Sequence, residues 1–200
     1  MTPAPLDGSK RTWLIATSCV GAAGVVGLAT PFVESLEPSE KARAAGAPVK
    51  IDISSVALGE IKTFAWRGLP IWVLHRTPVM LDSLKTDTSM LLDPDSKLTG
   101  LPTPKYAQNE WRSIKPEYLV LIAICTHLGC IPTPKLKAGP QPLLPDNWPG
   151  GFFCPCHGSM YDLAGRVFKD VPAPLNLQVP RYMYTSDTEI MVGEDKEGKA

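Results

Sequence analysis

The chain has 200 residues, enough for one ordinary domain and an appendage, and its composition of 44% hydrophobic and 20% charged residues excludes a wholly disordered protein. Lys and Arg together number 20, as do Asp and Glu, so the net charge is zero. A protein that binds nucleic acid would carry an excess of basic residues, which this chain lacks. The 21 prolines argue against a large helical bundle, because proline interrupts helices.

The first predicted element is a membrane-spanning helix at residues 12–33, a run of 22 residues without a charge. A helix of that length measures about 33 Å, and the hydrocarbon core of a bilayer is about 30 Å thick. Lys10 and Arg11 precede the run and Glu34 follows it. The positive-inside rule therefore predicts a cytoplasmic segment at residues 1–11 and an exported remainder. A cleaved signal ending at residues 45–47 is the alternative.

Residues 34–48 form the next predicted segment, a flexible tether or hinge. They are charged or small, and Leu36 is the only large aliphatic residue among them. Such a segment cannot bury enough apolar surface to pack as a core element. Residues 49–200 then make up a single head domain.

The head is predicted to be mainly antiparallel β-structure, because short apolar or alternating runs are separated by turn residues. These strands are expected at Lys50–Ser54, Ile61–Trp66, Ile71–His75, Tyr118–Ile124, near Tyr161 and Val167, and at Leu175–Val179, Tyr182–Tyr184 and Ile190–Val192. Thr77 followed by Pro78 fits a helix N-cap, which predicts a short helix over Val79–Lys85. Arg166 and Lys169 are expected to be solvated.

Two segments rich in cysteine and histidine carry the chemistry. The first is Cys125-Thr126-His127-Leu128-Gly129-Cys130, and the second is Cys154-Pro155-Cys156-His157-Gly158-Ser159. Each directly follows an apolar run, so both are expected to be loops at one end of a sheet. Thiolate and imidazole ligands suit zinc, copper or iron–sulfur centres, and two of each match a mixed-ligand two-iron cluster. Structural zinc sites more often use Cys-x2–4-Cys pairs, and zinc is the alternative.

Both segments closely resemble the motifs of Rieske iron–sulfur proteins, in particular the iron–sulfur subunits of ubiquinol–cytochrome c reductase. The resemblance extends over the anchor, the tether, Trp66-Arg67-Gly68-x-Pro70, both boxes, Tyr161-Asp162 and Pro172-Ala173-Pro174. It implies an antiparallel β-sandwich head with a small cluster-binding subdomain. Rieske ferredoxins and ring-hydroxylating oxygenases generally lack the two extra cysteines and the anchor, which this sequence has.

The resemblance also implies the site. One [2Fe–2S] cluster is expected, with Cys125 and Cys154 on one iron and His127 and His157 on the other. Cys130 and Cys156 are expected to form a disulfide, which an exported loop pair favours. Ser159 and Tyr161 occupy positions whose hydroxyls donate hydrogen bonds to cluster or ligand sulfur. The residues expected to shield the cluster or dock on partners are Leu128, Pro172, Ala173 and Pro174.

The implied activity is that of the cytochrome bc complex, a dimeric and proton-translocating ubiquinol–cytochrome c reductase. His157 is expected to meet ubiquinol at the cytochrome b site and accept its proton, with His127 as the second catalytic candidate, and the electron would pass to a c-type cytochrome. The absence of an Arg/Ser-rich transit segment favours a bacterial inner membrane with the head in the periplasm. The alternatives are a Rieske subunit of another periplasmic oxidoreductase and a membrane-tethered binding module stabilised by zinc.

Overall fold

The computed structural model describes residues 7–39, 42, 44, 46–85 and 88–199. The chain divides into two compact units, residues 1–44 and 45–200. The first contains helix α1, Gly8–Ser35, whose N-terminus is capped by the Asp7 carboxylate accepting the Ser9 amide at 3.1 Å. This 28-residue helix is long and apolar enough to cross a membrane, and it includes the whole predicted span.

The predicted tether lies partly outside the described residues, since 40, 41, 43 and 45 are not described. Its last residues belong to the second unit, which begins at residue 45, four residues before the predicted head. The Trp66 indole N–H donates to the Ala47 carbonyl at 3.1 Å, and the Arg67 guanidinium donates to the Gly46 carbonyl at 3.3 Å. This end of the segment is therefore bonded to the head through two backbone carbonyls.

The second unit consists of three three-stranded antiparallel sheets and a two-stranded ribbon. In chain order the elements are β1 Val49–Asp52, β2 Ile61–Trp66, β3 Leu69–His75, α2 Pro78–Ser83, β4 Tyr118–Ile122, β5 Thr133–Lys135, β6 Gly151–Phe153, β7 Met160–Asp162, β8 Tyr182–Tyr184, β9 Glu189–Val192, β10 Glu194–Asp195 and β11 Gly198–Lys199. The sheets have the strand orders β1-β9-β8, β2-β3-β4 and β5-β6-β7, and the ribbon is β10-β11. The prediction of a mainly β head behind one long N-terminal helix is confirmed.

The hydrophobic core is built from the first two sheets and continues toward the third. Residues 71–74 of β3 and 119–122 of β4 are buried on both sides, which explains why each reads as a continuous apolar run. Buried Ile190 and Val192 of β9 and Phe152 of β6 belong to the same cluster. The small third sheet therefore rests on the main core rather than standing apart from it.

Several local predictions can be compared with these elements. Helix α2 is present, and the Thr77 hydroxyl caps it by accepting the Met80 amide at 3.3 Å, but it ends at Ser83. The predicted strand at Leu175–Val179 is wrong, because this segment is extended without joining a sheet. Prolines flank it and cannot donate to a ladder. Its groups bond singly instead, as when the Leu177 amide donates to the Gly165 carbonyl at 2.9 Å.

The expectation that Arg166 is solvated is also wrong. Arg166 is 2% exposed, and its Nε donates to the Asp162 carboxylate at 2.6 Å. A second nitrogen donates to the Leu84 carbonyl at 2.9 Å. The buried charge is thus paired and hydrogen-bonded, which offsets its desolvation. Lys169 is exposed, as predicted.

Candidate metal centre

The two cysteine–histidine segments are loops of the small sheet β5-β6-β7. The first loop connects β4 to β5, and the second connects β6 to the neighbouring strand β7. Gly151 in β6 allows these strands to approach closely, because a Cβ atom there would collide with the carbonyl oxygen of Tyr161 in β7. The sheet thereby brings both loops to one place, as their positions after apolar runs predicted.

Each loop is closed by the same pair of backbone hydrogen bonds. In the first loop the Cys125 amide donates to the Cys130 carbonyl at 2.7 Å, and the Gly129 amide donates to the Cys125 carbonyl at 3.0 Å. The corresponding bonds within Cys154–Ser159 measure 2.8 and 2.9 Å. Gly129 and Gly158 have φ angles of 83° and 81°, in the left-handed region that favours glycine. The loops are two copies of one six-residue conformation.

A disulfide joins Cys130 in the first loop to Cys156 in the second, with an S–S distance of 2.10 Å. The sulfur of Cys154 lies within 4.8 Å of both disulfide sulfurs. These three sulfurs do not form a metal site, since a disulfide offers no thiolate. The disulfide instead ties the two loops together and leaves Cys125 and Cys154 as the free thiols of the head.

The two free thiols are buried and hydrogen-bonded to each other. Burial alone raises the pKa of Cys125, but hydrogen bonds, first from the Tyr161 hydroxyl and then from the His127 amide, outweigh it and hold the pKa below its ordinary value. The pKa of Cys154 is raised, chiefly by burial and also by its bond to Cys125. The pair therefore combines a stabilised thiolate with a thiol that a metal would have to deprotonate.

The two histidines lie against each other, with ring centroids 4.7 Å apart and planes at 88°. His127 is half-buried, and its Nδ1 is a buried atom with no hydrogen-bond partner among the described residues. His157 is exposed. A buried ring nitrogen without a partner is costly unless a ligand occupies it. Two neighbouring imidazoles and two neighbouring thiols fit the donor set of a mixed-ligand two-iron cluster.

Tyr161 and Ser159, the two residues expected to donate hydroxyl hydrogen bonds, are both buried at the site. Tyr161 is completely buried, and its hydroxyl oxygen lies 3.3 Å from the Cys125 sulfur. Burial, followed by the hydrogen bond to Cys125, raises the pKa of Tyr161 well above its ordinary value, so the phenol stays a donor. Ser159 is also completely buried, and its hydroxyl accepts the Ala173 amide at 3.1 Å. Through this bond the second loop holds the proline segment.

The residues expected to shield the site are partly exposed. Leu128 is 70% exposed at the tip of the first loop. Pro172 and Pro174 are exposed, whereas Ala173 between them is buried. The apolar loop tip and two proline rings are therefore exposed, as is His157.

Thr126 is a site residue that the sequence analysis missed. Its amide donates to the Tyr161 hydroxyl oxygen at 3.2 Å, and its own hydroxyl donates to the Leu175 carbonyl at 2.6 Å. The Thr126 oxygen lies 3.2 Å from the Tyr161 oxygen, and because its only proton points at Leu175 it is a second acceptor for the phenolic proton, beside the Cys125 sulfur. The signal in the sequence was a hydroxyl residue directly between a cysteine and a histidine that are expected to be ligands.

The head matches a known family of domains. Residues 106–183 match the family described as the Rieske [2Fe–2S] domain. The ubiquinol–cytochrome c reductase iron–sulfur subunit of Allochromatium vinosum is 53% identical over 187 residues, which cover 94% of this chain and 89% of that protein. The subunit of the same description from Blastochloris viridis is 43% identical over 192 residues, covering 94% of each chain.

A mitochondrial relative is more distant. The protein described as the cytochrome b-c1 complex subunit Rieske of Bos taurus is 39% identical over 180 residues, which cover 89% of this chain and 57% of that one. With these identities and coverages, the chain belongs to the family of ubiquinol–cytochrome c reductase iron–sulfur subunits. It is a membrane-anchored electron-transfer protein with a Rieske [2Fe–2S] cluster.

Proposed function

We propose that this chain oxidises ubiquinol at the quinol site of a cytochrome b and passes the electron to a c-type cytochrome within a dimeric, proton-translocating bc complex. The observation that carries the proposal is the pair of unlike histidines. His157 is exposed where a quinol could reach it, and His127 beside it is half-buried with an unpartnered ring nitrogen. The names of the relatives, which are iron–sulfur subunits of ubiquinol–cytochrome c reductase, support the same reaction.

The cluster ligands follow from the same contacts. Cys125 and Cys154 would bind one iron, since they are the free buried thiols of the head. His127 would bind the other iron through Nδ1, its buried nitrogen, together with His157. Structural zinc is not proposed, because the Rieske family binds an iron–sulfur cluster. Cys130 and Cys156 are withheld from the metal by their disulfide.

The cluster, when bound, supplies a one-electron acceptor whose two imidazole ligands raise its potential above that of an all-cysteine cluster. The side chains around it would bind the quinol and accept its proton. The outer ring nitrogen of His157 accepts the hydrogen bond of the quinol hydroxyl and then holds its proton, because exposure leaves that nitrogen reachable. Leu128 and the flanking prolines provide apolar contacts that exclude water from this hydrogen bond.

The anchor and tether place this head in the membrane complex. Helix α1 would span the inner membrane with its N-terminus in the cytoplasm and the head in the periplasm, since positive charges precede the span and acidic ones follow. Residues 34–48 would act as a hinge that lets the head visit cytochrome b and then the c-type cytochrome. Residues 36–45, between the end of α1 and the first bond to the head, would reach about 35 Å if fully extended. Proton release on the periplasmic side would contribute to translocation.

The quinol reaction is tested in membranes that contain the assembled complex. Ubiquinol is added, reduction of the cluster is followed by EPR, and reduction of the cytochromes is followed by absorbance. We expect ubiquinol to reduce both, and antibodies to this subunit to recover a cytochrome b. Reduction of the cluster by another donor but not by ubiquinol would support the alternative of a different periplasmic oxidoreductase.

The hinge is tested separately by prolines placed at residues 41–46, which restrict backbone freedom without touching the cluster. We expect turnover of quinol and cytochrome c to fall while the EPR spectrum and the midpoint potential stay unchanged. The amount of subunit in the purified complex is measured alongside as the control for assembly. Full turnover by an assembled variant with a demonstrably rigid tether would contradict the hinge.

A further inference from the structure

Arg112 is a buried cation that the proposed function does not use. Its side chain is 1% exposed, and its φ of 50° lies in the left-handed region, where a non-glycine residue is strained. Burial lowers the pKa of Arg112 to about 10, which leaves the guanidinium charged at neutral pH. Its hydrogen bonds go to neutral oxygens, including the hydroxyls of Ser96 at 2.8 Å and Thr103 at 3.2 Å. A charge buried in this way is costly unless its donors are satisfied, and these bonds satisfy them.

Those bonds cross-link two backbone segments. One terminal nitrogen donates to the carbonyls of Ala164 at 3.0 Å and Gly165 at 3.1 Å, in the turn that follows β7. The other donates to the Leu177 carbonyl at 2.7 Å. The Leu177 amide in turn donates to the Gly165 carbonyl at 2.9 Å. Arg112 therefore holds the extended segment Leu175–Val179, at Leu177, against the turn after β7.

Both segments are linked to the Tyr161 side chain, one through the chain and the other through a hydrogen bond to Thr126. Tyr161 is in β7 and leads directly into the turn. Leu175, on the extended segment, accepts the Thr126 hydroxyl proton, and the Thr126 oxygen is one of two acceptors near the phenol. The other acceptor is the Cys125 sulfur at 3.3 Å. A single phenolic proton is thus shared between a threonine oxygen and a proposed ligand sulfur.

The sharing depends on small displacements, because hydrogen bonds weaken steeply as distance and angle change. We propose that Arg112 is a positioning residue for the iron–sulfur centre, which holds the Tyr161 hydroxyl on the Cys125 sulfur and so helps to set the midpoint potential. The inference rests on the proposed function, in which Cys125 is an iron ligand and Tyr161 donates to it. A donor to sulfur stabilises the reduced, more negative centre, so moving it away lowers the potential.

The test is a double-mutant cycle between Arg112→Lys and Tyr161→Phe, with midpoint potentials measured by EPR titration of the full-length protein in membranes. Lysine keeps a positive charge but loses the planar fork that reaches both segments. We expect Arg112→Lys to lower the equilibrium constant for reduction about three- to tenfold, part of the effect of a whole bond to a charged acceptor. In the Tyr161→Phe background we expect no further fall, since no phenolic proton remains to be moved.

Arg76→Lys is the matched control. Arg76 is equally buried at 1%, but its one bond to the turn goes to the Leu163 carbonyl at 3.3 Å, and its other bonds go to residues outside both segments. We expect a smaller shift there. If Arg112→Lys fails to assemble, Thr103→Val removes one bond from the same guanidinium, and its smaller fall should also vanish with Tyr161→Phe.

The possible results distinguish failure of the Arg112 positioning role from failure of the proposed function on which it rests. A shift from Arg112→Lys that survives undiminished in Tyr161→Phe, or no shift from either Arg112→Lys or Thr103→Val, would overturn the positioning role alone. An unchanged potential in Tyr161→Phe by itself would remove the proposed role of Tyr161 and the inference with it. Loss of the Arg112→Lys shift in the Tyr161→Phe background, with a smaller shift from Arg76→Lys, would support both.

Discussion

The two loops of the metal centre share a backbone and differ in where it carries histidine. Both close with the same two hydrogen bonds and have a left-handed glycine as the fifth residue. His127 is the third residue of its loop and is half-buried, whereas His157 is the fourth of its loop and is exposed. Leu128, the fourth residue of the first loop, is exposed as well. The same loop conformation thus holds a half-buried histidine at its third position in one loop and an exposed histidine at its fourth position in the other.

Only a small part of that relation is visible in the sequence. A cysteine and a glycine stand four residues apart in both segments, which marks the repeated loop. The remaining cysteines fall at different places, since Cys130 is the sixth residue of the first loop and Cys156 the third of the second. Their disulfide therefore links unlike positions of two like loops. The assembly as a whole is asymmetric although each part is similar.

Loss of a ligand should have the largest effect, and it should be equal from either loop. Replacing Cys125, Cys154, His127 or His157 by alanine would remove one of the two proposed protein ligands on an iron, so we expect no cluster to be retained. The measurement is the EPR spectrum of the reduced full-length protein, with iron and acid-labile sulfide analysed in parallel. A native spectrum from any of the four variants would contradict that residue's assignment and the equivalence of the loops.

Removing the disulfide should have the next largest effect. The bond spans a sequence separation of 26, for which chain entropy gives a contribution of about 3 kcal/mol. We expect Cys130→Ala with Cys156→Ala to lower the temperature of cluster loss by roughly 6–12 °C, because each kcal/mol shifts the midpoint by about 2–4 °C at this size. The change is followed by visible absorbance on heating. The single variants, which leave one thiol free beside Cys154, should bind the cluster no better than the double variant.

The glycines offer a matched pair that tests the shared conformation directly. Nothing lies within 4 Å of a Cβ added at Gly129 or Gly158, so alanine meets no neighbour and is opposed only by the left-handed backbone. Each substitution should cost about 1–2 kcal/mol. If the loops are two copies of one conformation, Gly129→Ala and Gly158→Ala should lower the temperature of cluster loss by the same amount. A difference of more than about 4 °C, or roughly 1 kcal/mol, would show that the two loops are under different strain.

What the sequence could predict was local, and what it could not predict depends on distant partners. The uncharged run, the hairpin strands and the two metal-binding loops each carry their signal within a few residues. Arg112 gives no such signal, because its backbone acceptors lie 52 to 65 residues away in the turn and the extended segment. Arg166 was misassigned as solvated because one of the groups that bury and bond it, the Leu84 carbonyl, lies 82 residues earlier in the chain.

The error at Leu175–Val179 has the same origin. Its apolar residues suggested a strand, but pairing in a sheet is decided by neighbours and by the flanking prolines. Thr126 could be read as a hydroxyl beside the ligands, yet its role needs Tyr161 and Leu175, 35 and 49 residues further along. The sequence therefore predicted the class of protein, and the donor set that it suggested stays a prediction. The hydrogen bonds around those side chains came from the structure.

The smallest effect on stability should come from Leu128→Ala, which changes the exposed fourth residue of the first loop. Leu128 is 70% exposed, so its truncation should alter the free energy of unfolding by less than about 0.5 kcal/mol and leave the EPR spectrum unchanged. If this leucine docks on cytochrome b beside His157, losing its methyl groups removes apolar contact worth about 1–2 kcal/mol, roughly a tenfold fall in quinol-dependent turnover.

Leu143→Ala is the control, because Leu143 is 82% exposed on the connection between β5 and β6 and is assigned no role in docking. Turnover measured on equal amounts of assembled complex should separate the two variants. Equal loss from both variants would contradict a docking role for Leu128, because a leucine outside the site would then matter as much. No loss from Leu128→Ala would remove Leu128 from the docking surface and leave the exposed His157 as the contact with the quinol.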